Sequence, residues 1–89
     1  MIKLTWNKNF ERSLKRYLTR HPGKETKIKE KLKLFTEEPF SPELRNHKLS
    51  GKLKDLRAMV VENDCRIVFK LVDEDTALLV SIGSHEEVY

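Results

Sequence analysis

The apolar residues of this chain keep two different periods, and the change between them falls at a proline-bearing loop. From Phe10 to Phe35 they recur at the three- and four-residue spacing of helices, and from Leu56 onward they alternate as strands do. Helices first and strands last predict an α+β fold, with the helices laid on one face of an antiparallel sheet. A chain of 89 residues has room for one core, so residues 1–89 are expected to form a single domain.

Ile2, Leu4 and Trp6 alternate with Lys3 and Thr5, which predicts a short strand over 2–6. Asn7 is placed to cap a helix whose stripe is Phe10, Leu14, Tyr17 and Leu18, with Lys8, Arg12, Lys15, Arg16 and Arg20 on its other side. His21-Pro22-Gly23 ends it. Ile28, Leu32 and Phe35 predict a second helix, with Lys24, Lys27 and Lys31 outside its stripe. So short a link makes the two an antiparallel hairpin. Over 37–55, Pro39 and Pro42 forbid regular helix, and Ser41, Asn46, Ser50 and Gly51 favour loop. Loops this long in small domains are usually functional or disordered, and this one carries Arg45, His47, Lys48, Lys52 and Lys54.

Three antiparallel strands are predicted to close the chain, over 56–62, 65–72 and 76–82, turning at Asn63-Asp64 and around Asp73-Glu74-Asp75. A two-residue first turn pairs Glu62 with Cys65, Val61 with Arg66, Met59 with Val68 and Arg57 with Lys70; directly paired residues share a face. The helix-facing side then shows Leu56, Ala58, Val60, Cys65, Ile67, Phe69 and Leu71, continued by Leu78, Val80 and Ile82. The other side shows Arg57, Met59, Val61, Arg66, Val68 and Lys70, with Leu79, Ser81, Gly83 and His85. A slip of one residue would turn Arg57 and Arg66 toward the helices, at a cost on the order of several kcal/mol for unpaired buried charge.

The single Cys65 can form no internal disulfide and no Cys/His cluster has zinc spacing, which disfavours a stapled scaffold and a structural metal domain. No apolar run has signal-peptide or membrane-span length. The expectation is a soluble cytoplasmic protein with no cofactor and no membrane partner. Net charge is +4, but residues 1–57 hold 16 Lys/Arg against 7 Asp/Glu, whereas 58–89 hold 2 against 7. The basic excess lies wholly in the first two thirds, which suits a polyanion, most often nucleic acid, or an acidic protein.

Cutting RNA internally needs a group to activate the ribose 2′-OH, one to stabilise charge on the phosphate, and an acid for the leaving oxygen. Histidine suits either proton role near neutral pH, and a guanidinium engages two phosphate oxygens at once. Arg66, amid an apolar strand, reads either as a solvated surface residue or, with Arg57, Lys70 and His85, as part of a cationic site. His47 and His85 can both reach that face, whereas His21 is a solvated turn residue. Asp64 is a turn former, or it orients a histidine or acts as base. Tyr89 can stack on a base or lend its hydroxyl. Cys65 points to the core and packs. The cations expected to contact RNA are Arg57, Lys48, Lys52, Lys54 and Lys70, with Arg12 and Arg16 of the first helix. With no glycine-rich phosphate loop, nucleophile elbow or paired metal-ligand motif, metal-free phosphoryl chemistry is the sharpest enzymatic reading.

The run His47-Lys48-Leu49-Ser50-Gly51, then Leu56-Arg57, then Asp64-Cys65-Arg66-Ile67-Val68-Phe69, and the ending Ser81-Ile82-Gly83-Ser84-His85-Glu86-Glu87-Val88-Tyr89 together resemble the RelE/ParE toxin superfamily, specifically its YafQ-like branch. The resemblance covers essentially the whole chain. It implies the small microbial-ribonuclease-like α+β fold and a type II toxin that enters the ribosomal A site and cuts messenger RNA there. It also implies His47 as the loop histidine, Asp64 as the acidic turn residue, Arg66 as the phosphate-contacting arginine, His85 as the proton-transfer histidine and Tyr89 as the terminal aromatic. Where that branch usually carries a strand histidine, a tryptophan and an arginine, this chain has Val60, Cys65 and Ser81.

Two other functions fit the same resemblance: a non-enzymatic, ParE-like poison of DNA gyrase, and an inactive member whose only task is to bind its antitoxin. In each case an acidic antitoxin is expected to wrap the basic surface with a helix or an added strand.

Overall fold

The computed structural model describes residues 1–51 and 55–88. Strand β1 (Lys3–Trp6) leads into helices α1 (Lys8–Arg20) and α2 (Glu25–Glu37), joined by a 3₁₀ turn at Pro22–Lys24. A second 3₁₀ turn at Pro42–Leu44 precedes β2 (His47–Lys48), β3 (Arg57–Glu62), β4 (Cys65–Leu71), β5 (Thr76–Ser84) and a final turn of helix, α3 (His85–Val88). The class is α+β, but the sheet is larger than the three antiparallel strands predicted. It has five strands in the order β1-β5-β4-β3-β2. It is also mixed, because β1 joins β5 in parallel, with Lys3 opposite Thr76. Strand β2 rises from the segment predicted as loop, pairing His47 with Ala58 and Lys48 with Arg57; two residues are too few to leave a periodic signal.

Helix α1 starts where its cap was expected, with Asn7 Oδ1 accepting the Phe10 N–H at 2.8 Å. Phe10 of α1 and Ile28 and Phe35 of α2 close over Met59, Val61, Ile67, Phe69, Leu79 and Ile82 of the sheet. At the centre Phe35 meets Phe69 edge to face, with ring centroids 4.8 Å apart.

Strand β4 faces the helices through Cys65, Ile67 and Phe69, as predicted. Each of its neighbours departs from the predicted parity at a bulge. In β3, Glu62 pairs with Cys65, but Val60 rather than Val61 stands opposite Arg66, and Arg57 pairs with Phe69 rather than Lys70. Val61 is therefore the extra residue. Met59 and Val61 enter the core, and Ala58 and Val60 turn away from it. In β5, Val68 pairs with Ser81 and Phe69 with Leu79, which leaves Val80 extra. Ala77 and Leu79 pack inward instead of Leu78 and Val80, while Ile82 keeps its predicted place. A bulge sets two residues against one and resets the alternation.

The β5 bulge is stabilised by α1. Asn9 Nδ2 donates to the Val80 carbonyl at 2.8 Å, and the Ile82 N–H donates to Ser13 Oγ at 3.0 Å. Ser13 is buried and passes its own proton to the Phe10 carbonyl at 3.0 Å. Two polar residues on an otherwise core-covering helix thus answer the backbone groups that the bulge frees from the ladder.

The β3 bulge corrects the expected position of Arg57. Its partner Phe69 lies on the helix side, so Arg57 leaves the face that carries Arg66. There its Nε donates to Asn46 Oδ1 at 2.7 Å and its guanidinium lies 5.3 Å from the centre of the Phe40 ring. The penalty for an unpaired inward charge does not arise, because the loop before β3 supplies both partners.

Candidate nucleic-acid interface

The sheet face turned away from the helices is read from the register. One row runs His47, Ala58, Val68, Ser81, and the next runs Val60, Arg66, Gly83. Arg66 thus stands between an aliphatic residue and a glycine, with no carboxylate beside it in the sheet. Its Nη1 donates to the Asn63 carbonyl at 2.6 Å, and Asn63 holds a left-handed φ of 41° in the β3–β4 turn. A guanidinium has five N–H donors, so this anchor is compatible with binding an oxyanion.

Asp64 lies in the same turn, and its Oδ1 accepts the backbone N–H of His85 at 3.3 Å. Gly83 pairs with Arg66 and Ser84 with Cys65, so the end of β5 delivers His85 beside the turn that holds Arg66 and Asp64. Helix α3 opens there with a reciprocal cap: the Ser84 N–H donates to Glu87 Oε1 at 2.9 Å, and the Glu87 N–H donates to Ser84 Oγ at 3.3 Å. Three of the predicted site residues therefore gather at one end of the sheet.

His47 stands apart from them. It is exposed on β2, and its Nδ1 lies 2.8 Å from the Arg45 carbonyl oxygen. A carbonyl only accepts, so Nδ1 is the donor in this contact. Three strand spacings of about 4.8 Å separate β2 from β5, and His47 is level with Ser81, short of His85 along the strand. The two histidines flank Arg66 without forming a pair.

The predicted cations scatter. Lys70 shares the face turned away from the helices with Arg66 and Val68; Lys70 is exposed, whereas Val68 is buried. Lys48 pairs with Arg57 and so projects to the helix side; with Asp55, Arg57 and Leu71 it lines a cavity of about 260 Å³. Arg12 and Arg16 are exposed on α1, which covers the opposite side of the sheet. Lys52, Lys54 and Tyr89 lie outside the described residues. In their place the fold gathers a different set of cations beside Arg66. Lys27 and Lys31 of α2, with Arg45, line a groove of about 390 Å³ with Val60 and Arg66, interrupted by Glu43 and Glu62. The lysine spacing on α2 was visible in the sequence, but only the packing of Ile28 and Phe35 fixes which way it faces.

Behind the turn, Tyr17, His21, Lys24, Glu62 and Cys65 line a smaller cavity of about 170 Å³. Burial pushes the Tyr17 hydroxyl and the Cys65 thiol up, so Cys65 stays a protonated, packed thiol. His21 is exposed, with its ring 4.5 Å from that of Tyr17. Among the described residues, no group of three or more His, Cys, Asp and Glu is placed to hold a metal ion, and no helix is long and apolar enough to cross a membrane.

A copper-bound mutant toxin from Helicobacter pylori is 29% identical to this chain, with a TM-score of 0.80 and 100% of both chains covered. YafQ from E. coli, at 18% identity, has the same fold, with a TM-score of 0.82 over 100% of this chain and 99% of its own. YafQ in the E. coli DinJ-YafQ complex also matches at 18% identity, with a TM-score of 0.80 and the same coverage. The chain matches no curated protein. Residues 2–89 match the family described as the bacterial toxin of type II toxin-antitoxin system, YafQ, and the chain belongs to that family.

Proposed function

We propose that this toxin is a ribosome-dependent, metal-independent endoribonuclease that cuts messenger RNA in the A site and so stops translation in the cytoplasm. The observation that carries this reading is the meeting of Arg66, Asp64 and His85 at one end of the open sheet face. Arg66 binds the scissile phosphate and stabilises its added charge. A base takes the proton of the ribose 2′-OH, and the oxygen so freed attacks phosphorus. The bond to the 5′-oxygen breaks, and His85 gives that oxygen a proton. Asp64, which bonds the His85 backbone, is the base or the group that orients a histidine, and His47, farther along the face, is the other candidate for the base. Tyr89 stacks on a base.

The ribosome supplies much of the positioning, and the exposed Arg12 and Arg16 of α1, with the Lys27 and Lys31 groove, suit ribosomal RNA. The DinJ-YafQ complex supports a cognate antitoxin, here an acidic one that covers the basic surface. The test is to induce the toxin and His85→Ala in cells and map messenger RNA ends. New in-frame ends that vanish with His85→Ala are expected. Growth arrest without new ends, unchanged by the substitution, overturns the reading in favour of a poison that binds a protein.

A further inference from the structure

The side chain of Glu87 is bent back over the end of β5. Its Oε1 accepts the Ser84 N–H at 2.9 Å, and its Oε2 accepts from Arg20 Nη1 at 3.0 Å. Its Cβ and Oε1 also fill the space beside Gly83, where an added Cβ would meet both at 3.1 Å. The carboxylate therefore ties three things together: the last residue of α1, the last residue of β5 and the glycine opposite Arg66. His85 is the next residue, and its N–H is held from the other side by Asp64. The Ser84 hydrogen bonds and the neighbouring Arg20 and Arg16 hold the Glu87 carboxyl below its usual range, so it is ionised at neutral pH.

We infer that Glu87, braced by Arg20, is a positioning residue that fixes the backbone from which His85 reaches the RNA. This rests on the reading of His85 as the catalytic acid. The clasp acts through Gly83 and Ser84, and it accounts physically for the Gly83-Ser84-His85 sequence followed by Glu87. Glycine leaves room for the returning carboxylate, serine answers its backbone, and histidine rides on the turn so formed. A misplacement on the order of 1 Å costs a reaction roughly a hundredfold, so an element that touches no substrate can still set the rate.

The experiment has two arms. In the first, ring and amide NMR signals of His85 are compared between wild type and Glu87→Ala. Broadened or shifted His85 ring signals and faster exchange of the Ser84 and His85 amides are expected, with the Phe69 amide unchanged; an unchanged His85 overturns the inference, whatever the protein's activity. In the second, cleavage on ribosomes is measured for Glu87→Ala, Glu87→Gln, His85→Ala and the double variant. Glu87→Ala should cut about ten- to a hundredfold more slowly, with unaltered ribosome binding. Glu87→Gln, which keeps an oxygen for the Ser84 N–H, should recover most of the loss. Glu87→Ala added to His85→Ala should cost nothing more. Equal penalties in both backgrounds, or full activity of Glu87→Ala beside a dead His85→Ala, overturn the positioning role while the nuclease reading stands. Wild-type cleavage unaffected by His85→Ala overturns that reading instead.

Discussion

The two histidines of the proposed site are carried in opposite ways. His85 follows a nine-residue strand that is paired with β4 as far as Ser84 and with β1 over 76–79, and its own backbone is held by Asp64. His47 sits on a two-residue strand at the sheet edge, paired on one side only. Elements with few backbone bonds and much exposure open at lower free energy than those locked in a sheet. The fold therefore holds the His85 end of this face more firmly than the His47 end.

The strongest way to break this contrast is at Ser13. Its hydroxyl answers the Ile82 N–H in the interior, so Ser13→Ala strands a buried donor and should cost about 1–3 kcal/mol. In a domain of this size that lowers the melting temperature by about 4–8 °C per kcal/mol. Urea unfolding should show a lower midpoint with an unchanged slope. A melting temperature within a degree of wild type would mean that the bulge does not depend on α1.

At the other end, Asn46 is the equivalent test. It bridges the loop by donating from Nδ2 to the Pro39 carbonyl at 2.9 Å and accepting from Arg57 Nε at 2.7 Å. Asn46→Ala should cost about 1 kcal/mol or less, expressed locally. The Leu49 amide, which bonds the Leu56 carbonyl at 3.0 Å, should exchange faster while the global melting temperature hardly moves. If Asn46→Ala destabilises the whole domain more than Ser13→Ala does, the assignment of the firmer and the looser end is reversed.

The same two ends differ in how well they could be read from the chain. The cap at Asn7, the helix stripes, the break at Pro22 and the inward face of β4 all follow from local periodicity and capping, and the fold keeps them. The bulges at Val61 and Val80 do not, because an apolar run such as Ala58-Met59-Val60-Val61 offers either alternate set to the core. What selects the register is tertiary: Asn9 and Ser13 on α1 answer the β5 bulge, and Asn46 and Phe40 receive Arg57. The gathering of Arg66, Asp64 and His85 does not depend on the bulges, because it lies at the β4–β5 end, where Ile67 and Ile82 pair on the predicted face. The groove cations Lys27, Lys31 and Arg45 could not be assigned without knowing which side of α2 the Ile28 and Phe35 stripe leaves beside β3.

Acid should narrow the contrast by a smaller amount. Glu62, the last residue of β3, pairs with Lys24 in the turn between the helices, and this clip ties the helical layer to the turn that holds Arg66 and Asp64. Lys24 holds the Glu62 carboxyl below its usual range. In the folded state Glu62 therefore binds its proton only at a lower pH than in the unfolded state. Its stabilising contribution is present above the ordinary carboxylate range and is lost as pH falls through the folded value. The His47 end has no such dependence at Asn46 or Arg57, since an amide does not titrate and a guanidinium stays charged. Between about pH 6 and about pH 3 the melting temperature of wild type should fall more steeply than that of Glu62→Gln, so that the two curves converge in acid. Over the same range, exchange of the Asn63 to Arg66 amides should gain on that of Leu49. A gap between wild type and Glu62→Gln that stays constant with pH would show that the Lys24 pair does not hold the turn, and that the His85 end owes its rigidity to the ladder and the α1 contacts alone.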